Sequence, residues 1–551
     1  MSDALPGSVI EALARSEAYR DDPSARDGVE WVQTHLSHVF LTRERVYKLR
    51  KPVDLDFVSF RTRAQRNADC LREVVLNRRL APDVYLGVAP VEWDSAGTWI
   101  GRVAEGLATD TAAELEHCVV MRRLPAGRDA LSLLGRDALS RPQLTRLALR
   151  VAAFHDRHGL GVPAPFDSQA WQRVCTGPAE ESLALLRAEP AERVPPELVE
   201  RVSEAARRVA AECGPRFEQR RQAGRAVDAH GDLHLQHVWF ETDGAEPLAI
   251  DCLEFNERLR HIDAAAEVAF TAMDLAYRGR RDLAEYFLGV YAAARDDFAL
   301  YAVVDYFESY RAVVRAKVAA LAARDAGIEA VQRARAVESV RHHLELAAGL
   351  LEPSDPGALV LVGGIVGSGK SSAARALAER HAAPVVASDR VRRSLPGLPA
   401  AESRGADVDA GLYAPQLRER VYAALFERAE PVLASGRPVI LDATWSRREH
   451  RATAGRLAER LGTRLLFVEM RCGEQETLRR LAQREAAGHD ASDAGPAFYT
   501  TSAARFEAWS ARETGQHRVL RSTAAAWEKQ LDPVLAWLGD SPARAASSPA
   551  G

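Results

Sequence analysis

The period of apolar and polar positions changes several times along the chain, and each change predicts an element. Within VFLTRERVYK (residues 39–48) two short apolar-rich runs flank a polar turn, as in paired strands. From Arg61 to Leu80 the positions Ala64, Ala68, Leu71, Val74, Val75 and Leu80 recur at helical spacing. VYLGVAPVEW, a Ser-Ala-Gly turn and WIGRVAE predict a hairpin over residues 84–105, and CVVMRRL (118–124) a further strand. Residues 131–225 and 260–351 are helix-rich, separated by strand-and-loop segments at 226–240 and 247–255. At EPSDPG (352–357) two prolines, a glycine and acidic side chains follow a long helix, which predicts a linker. ALVLVGGIVGSGKSSAARALAER then opens a βα unit, and strands alternate with helices to about Leu538.

This pattern divides the chain into a polar segment (1–28) expected to be loosely packed, a first domain (29–351), the linker, a second domain (358–540) and a small-residue tail (541–551) expected to be disordered. No internal repeat is present, so the arrangement is a fusion of unlike domains. The length, 551 residues, suffices for about three to four folding units. Hydrophobic residues at 47% and charged residues at 27% exclude a wholly disordered chain. A net charge of −4 gives no global basic field for nucleic acid or an anionic membrane. No apolar run is long enough to span a bilayer, and residues 1–28 carry no signal-peptide core, so a cytoplasmic protein without membrane partners is expected. The six cysteines lie far apart with no Cys-x-x-Cys, against a disulfide framework or structural zinc. Of 73 cationic residues only Lys48, Lys51, Lys317, Lys370 and Lys529 are lysine, so a surviving lysine marks a possible need for a compact point charge.

The strongest chemical signal is GIVGSGKS, residues 364–371, which matches G-x-x-x-x-G-K-[ST] between an apolar strand and a helical run. Such a loop wraps backbone N–H groups around phosphate oxygens and adds the positive end of a helix. The nucleotide-binding set is Gly364, Gly367, Ser368, Gly369, Lys370, Ser371 and Ser372. Lys370 would reach the β- and γ-phosphates, and the Ser371 hydroxyl would join a Mg²⁺ shell. In PVVASDRVRR, Asp389 ends a strand and is either an acceptor-orienting carboxylate or a helix cap. Arg390 and Arg393 are either anion-holding or solvated side chains. In RPVILDATW, Asp442 closes a buried run as a metal-ordering aspartate does, or as an ordinary strand-end residue, with Thr444 just beyond as a substrate contact. Arg479, Arg480 and Arg484 on the helix running into GHDASDAGP are candidates for a closing lid, of which Arg480 and Arg484 are assigned to ATP.

Together these segments resemble the small P-loop kinases, a group that includes gluconate kinase, polynucleotide 5′-hydroxyl kinase, zeta-toxin-like and chloramphenicol-phosphotransferase-like enzymes. The resemblance covers about residues 358–538. It implies ATP and Mg²⁺ as cofactors, with Asp389 catalytic at the acceptor hydroxyl.

Upstream, HGDLHLQH (230–237) is followed 19 residues after Asp232 by Asp251, at the end of PLAIDCLEF. Two strand-end aspartates suit a base-plus-metal pair, and a His-rich loop equally suits Zn²⁺. Lys48 on a strand and Glu73 on the next helix are spaced as a nucleotide clamp or as a surface ion pair. The order strand-Lys, helix-Glu, connecting strand, HGDLH loop, strand-end Asp resembles the aminoglycoside phosphotransferase-like branch of the protein-kinase fold, over about residues 31–351. THLSHVFL, VYKLRKPV, LNRRLAPDVYLG and IDCLEFNERLRHID resemble a bacterial subgroup fused to a P-loop kinase. The resemblance implies a bilobal α+β kinase-like domain before an α/β P-loop domain with a parallel sheet. It makes Asp232 catalytic, Lys48 and Glu73 ATP-binding, Asp251 metal-binding, and residues 119–125 the hinge. His237 stands where that family has a metal-binding Asn, although Mg²⁺ prefers oxygen. No G-x-G-x-x-G is present, and Ser37 with the backbone near 35–38 would have to cover the phosphates. The expected activity is transfer of the ATP γ-phosphoryl group to hydroxyls of small-molecule acceptors. The alternatives are a nucleotide-sensing N-terminal pseudokinase, a nucleic-acid 5′-hydroxyl kinase, and a non-enzymatic ATP switch.

Overall fold

The computed structural model describes residues 5–55, 58–107, 115–325, 327, 329–395, 415–487, 497–510, 513, 515–523 and 525–539. The tail at 541–551 lies outside them. The described residues divide into two compact units, and neither is a continuous stretch of chain. One comprises residues 1–166 and 221–271, the other 167–220 and 272–551.

In the first unit the described residues form a six-stranded antiparallel sheet. Its order is Glu30–Gln33, Ser37–Leu41, Arg45–Arg50, Glu116–Arg122, Tyr85–Asp94, Gly97–Ile100. The helix Arg63–Asn77 packs on it, started by a capping box in which Thr62 and Gln65 satisfy each other's backbone N–H groups. One face buries Phe40, Tyr47, Leu49, Val91 and Val120, the other Val74, Val84, Tyr85 and Val119. The segment 5–28 corrects the expectation of a loose start. Its Val9, Leu13, Ala18, Tyr19 and Ala25 are buried in the first of these clusters. Asp22 fixes it further by accepting hydrogen bonds from Ser24 (2.6 Å), Thr42 (2.8 Å) and Tyr47 (3.1 Å). Beyond the sheet, Arg141–Arg157 and the short antiparallel pairs Ala226–Asp228 with His261–Asp263 and Val238–Trp239 with Leu248–Ala249 form a second lobe.

In the second unit the helices Ser168–Arg187, Pro196–Gln222, Arg281–Arg295, Val304–Arg324 and Ala330–Leu350 accompany a five-stranded parallel sheet. Its order is Val385–Ala387, Val439–Asp442, Ala358–Gly363, Arg464–Arg471, His517–Arg521. Strands covered on both faces need near-continuous apolar runs, and ALVLVG and VILD supply them, buried at every position. Arg437, leading into Val439–Asp442, is itself buried and holds Glu285 (2.6 Å) and Asp305 (2.8 Å), which joins the helices to the sheet.

The N-terminal fold is thus α+β, bilobal and protein-kinase-like, and the C-terminal fold is an α/β P-loop NTPase fold with a parallel sheet. The cysteines are all free, five of them buried. Among the described residues no helix is long and apolar enough to cross a membrane.

Candidate functional site

In the parallel sheet the strand Ala358–Gly363 ends at a loop that turns through Gly364 (φ +137°), Gly367 (+77°) and Gly369 (+94°) into the helix Lys370–His381. Glycine is demanded most plainly at Gly364, where a Cβ would stand 2.4 Å from the Met470 carbonyl oxygen. The helix start leaves backbone N–H groups without intrahelical partners, and Ser371 and Ser372 are exposed in that first turn. Ser368 is instead fully buried, and its Oγ has no hydrogen-bond partner among the described residues.

Register gathers the other groups at the same sheet end. Asp442 lies opposite Val362 on one side and Ala387 on the other, so its strand finishes beside both the phosphate loop and Ser388–Ser394. Asp442 is 5% exposed and its Oδ1 has no partner among the described residues. Burial raises its pKa; Lys370 and a hydrogen bond from Ser371 oppose this, and Asp389 adds to it. A desolvated carboxylate with one unpartnered oxygen, beside a hydroxyl and an ammonium, fits a hard cation. Ser371 and Asp442 are therefore the pair that could hold Mg²⁺.

Asp389 is in the first turn of its helix, but the cap position belongs to Ala387. Its Oδ1 accepts a hydrogen bond from Arg392 Nη1 at 2.8 Å. Arg390 is exposed and donates to the Ala293 carbonyl (3.1 Å). Arg393 is exposed on the same helix. Arg392 was missed, although a spacing of three on a helix puts it beside Asp389. Thr444 meets the Tyr422 hydroxyl at 3.2 Å, and its carbonyl accepts the Gly364 N–H (3.2 Å). Arg480 donates to Ser522 Oγ (2.9 Å) and to Glu476 (2.7 Å), and a Cβ on Gly369 would meet its Nη1 at 3.7 Å. Arg479 is paired with Glu476 and largely exposed. The Arg484 side chain and residues 488–496 lie outside the described residues. Glu469, also missed, lies opposite Gly363 on the neighbouring strand and binds Arg471 (2.8 Å), Trp509 (2.9 Å) and His517 (3.0 Å). Burial would raise its pKa, but His517 and Arg471 hold it at about 2.

The first unit brings together the other expected set. Lys48 Nζ lies 3.0 Å from Glu73 Oε1 and 2.6 Å from Asp251 Oδ1. Glu73 is fully buried, so this is no surface ion pair. Burial works to discharge the ammonium, and Asp251 and Glu73 outweigh it, so the Lys48 pKa is raised. Burial likewise opposes the Asp251 charge, and Lys48 and then His237 hold that carboxylate well below the usual range. Asp251 sits at φ +60°, its N–H donating to the Tyr85 hydroxyl (3.1 Å).

The HGDLH loop is braced from below. Glu267 accepts the N–H groups of His230 (2.8 Å) and Gly231 (3.0 Å). His230 is buried with its pKa lowered by desolvation to about 3, and its Nε2 faces the Ile250 carbonyl at 2.9 Å. Asp232, His234 and His237 offer donor atoms within 4.8 Å of one another. The hydrogen bonds argue against an open cation cradle. His237 Nδ1 is 2.9 Å from the Asp232 carbonyl, which requires N–H there. His234 Nδ1 accepts from the Gln236 N–H (3.3 Å), which leaves the proton on Nε2, 3.7 Å from the Asp232 carboxylate. Both imidazoles thus turn N–H groups toward Asp232, His237 onto its backbone carbonyl and His234 toward its carboxylate at 3.7 Å. Asp251 has the oxygen chemistry Mg²⁺ needs, and His237 does not. Ser37 is corrected as a phosphate cover, because it is fully buried and its Oγ receives Arg50 Nη1 at 2.9 Å.

The AAA domain family matches residues 359–509. The Mycobacterium tuberculosis protein Rv2004c is 36% identical over 440 residues, which cover 80% of this chain and 82% of that protein. The chain belongs to the Rv2004c family. Mb2027c of Mycobacterium bovis matches with the same figures. Among solved structures, a gluconokinase from Sinorhizobium meliloti 1021 is 23% identical with a TM-score of 0.24, over 34% of this chain and 94% of its own. The amicoumacin kinase hAmiN is 13% identical with a TM-score of 0.37, over 61% and 92%.

Proposed function

We propose that the chain is a fusion of two ATP-dependent phosphotransferases that move the γ-phosphoryl group of ATP to hydroxyls of small-molecule acceptors. The observation that carries this reading is the buried, half-unpartnered Asp442 beside Lys370, Ser371 and Asp389 at the mouth of a glycine loop. Phosphoryl transfer asks little covalent chemistry of a protein, so positioning and charge neutralisation supply the rate. In the P-loop domain, backbone N–H groups of residues 364–372 and the Lys370 ammonium bind the phosphates. Ser371 and Asp442 hold Mg²⁺, which neutralises charge on the β- and γ-oxygens when bound. Asp389, steered by Arg392, accepts the acceptor's hydroxyl proton. Thr444 contacts the acceptor, and Arg480 stands over the nucleotide end of the loop. In the kinase-like unit, Lys48, held by Glu73, binds the α- and β-phosphates, Asp251 holds metal, and Asp232 is the base. The His237 N–H, on the Asp232 carbonyl, fixes the backbone that presents this carboxylate.

The direct Lys48–Asp251 contact favours a second reading, in which the first unit senses nucleotide without turnover. Both are tested by incubating wild-type protein, Lys48→Ala and Lys370→Ala with γ-labelled ATP, Mg²⁺ and a metabolite extract, then resolving labelled products. Distinct products lost in each variant support two kinases. Label lost only in Lys370→Ala assigns the chemistry to the P-loop domain and makes the first unit a sensor. ATP binding without any labelled product refutes the transferase reading and favours a switch. A product on oligonucleotide ends would replace the small-molecule acceptor with nucleic acid.

A further inference from the structure

Arg50 follows Lys48 by two residues on the strand Arg45–Arg50, so the two side chains leave the same face of the sheet. Its side chain is 2% exposed and engages all three of its guanidinium nitrogens. Nε meets Asp69 at 2.7 Å, Nη1 meets Ser37 Oγ at 2.9 Å, and Nη2 meets both Glu73 Oε2 (2.6 Å) and Glu254. Glu73 is therefore shared, with Oε1 on Lys48 and Oε2 on Arg50. Glu254 comes from the turn just after Asp251, so Lys48–Asp251 and Arg50–Glu254 are parallel rungs between one strand and one loop.

The charges explain why a fixed cation is needed. Asp69, Glu73, Asp251 and Glu254 converge on Lys48 and Arg50, with Arg72 a further 3.7 Å from Asp69, so the four carboxylates outnumber the three cations. A triphosphate competing for Lys48 would draw it from Asp251, and without Arg50 Glu73 would then face Asp69 and Glu254 with no steady partner. We propose that Arg50 is a positioning residue of the nucleotide clamp: it grips one oxygen of Glu73 and so keeps the other aimed at Lys48 while Lys48 exchanges Asp251 for phosphate. Lysine cannot replace it, because a single ammonium lacks the planar fork that spans Asp69, Glu73 and Glu254 together. The inference rests on the first unit binding nucleotide.

The test uses an acyl-phosphate derivative of ATP on the full chain. A lysine amine near the phosphates attacks the acyl carbon, the C–N bond forms, the bond from acyl carbon to phosphate oxygen breaks, ATP leaves and the amine's proton passes to water. Peptides carrying Lys48 and Lys370 are quantified in one sample, so Lys370 serves as an internal control in the other unit. In Arg50→Met the maximal labelling rate of Lys48 is expected to fall about tenfold or more, with a smaller change in half-saturating probe and Lys370 unaltered. Arg50→Lys is expected to recover only part of the rate. An unchanged Lys48 rate in Arg50→Met overturns the proposal. If Arg50→Met fails to fold, full wild-type labelling in Arg50→Lys overturns it as well. Absence of ATP-protected label on Lys48 in the wild type refutes nucleotide binding by the first unit, and the clamp falls with it.

Discussion

Replacing Asp442 by asparagine should make the nucleotide-free protein more stable and its Mg·ATP complex less so. The carboxylate is 5% exposed and one of its oxygens has no partner, so its charge is only part-compensated by Lys370 and Ser371. An amide of the same shape removes that charge at little steric cost. Leaving a buried polar group unsatisfied costs about 1–3 kcal/mol, so a gain near the lower bound is expected, about 2 °C in Tm. The sign has a pH signature. Burial raises the folded-state pKa above the unfolded value, so the folded protein binds this proton more readily. The cost of the charge is therefore absent below the ordinary carboxylate pKa and grows as pH rises through the folded value. The advantage of Asp442→Asn should shrink on acidification from pH 7 toward 4. With Mg·ATP the order reverses. At a ligand concentration 100 times the wild-type Kd, binding stabilises by about 2.7 kcal/mol. A ten- to hundredfold loss of affinity leaves about 1.4 to 0.4 kcal/mol. Thermal melts of both proteins, with and without Mg·ATP and across pH, measure all of this. A variant that melts lower without ligand, yet keeps the full Mg·ATP shift, would falsify the assignment of Asp442 as a desolvated metal-holding carboxylate.

Gly364→Ala should abolish nucleotide-induced stabilisation, since its Cβ would lie 2.4 Å from the Met470 carbonyl at a φ that alanine avoids; equilibrium dialysis with ATP checks it. Arg437→Met should destabilise by about 3–5 kcal/mol by stranding Glu285 and Asp305, and adding Glu285→Gln and Asp305→Asn should recover much of that in urea unfolding. Glu469→Gln should cost up to about 3 kcal/mol at pH 7, because His517 and Arg471 hold the carboxylate at about 2. That stability is present above the unfolded carboxylate value and lost as pH falls to about 2, so the variant's acid transition should be shallower there.

The elements were legible where period and punctuation agreed. VFLTRERVYK became Ser37–Leu41 and Arg45–Arg50, and ALVLVG followed by glycines became the strand and phosphate loop. Lys48, Glu73 and Asp251 were legible as a set, and the structure brings them within 3.0 Å of one another through Lys48. Other features depend on partners that periodicity does not specify. Residues 5–28 looked polar because their few apolar side chains are spaced irregularly, in short turns that each bury one or two. Arg50 was indistinguishable from dozens of arginines, since its role comes from carboxylates as distant in sequence as Glu254. Arg390 and Arg392 differ by a rotation about one helix, which sends the first to Ala293 and the second to Asp389.

The interleaving of the two compact units has a consequence for how the chain is made. A ribosome elongating at about 5–20 residues per second delivers residues 167–220 long before the strand Ala358–Gly363 with which they share a unit. The first unit likewise waits for residues 221–271 after its sheet has emerged. The first unit is completed only after residues 167–220 of the second have been synthesised. A truncation near residue 355 therefore cuts within the second unit rather than between the two.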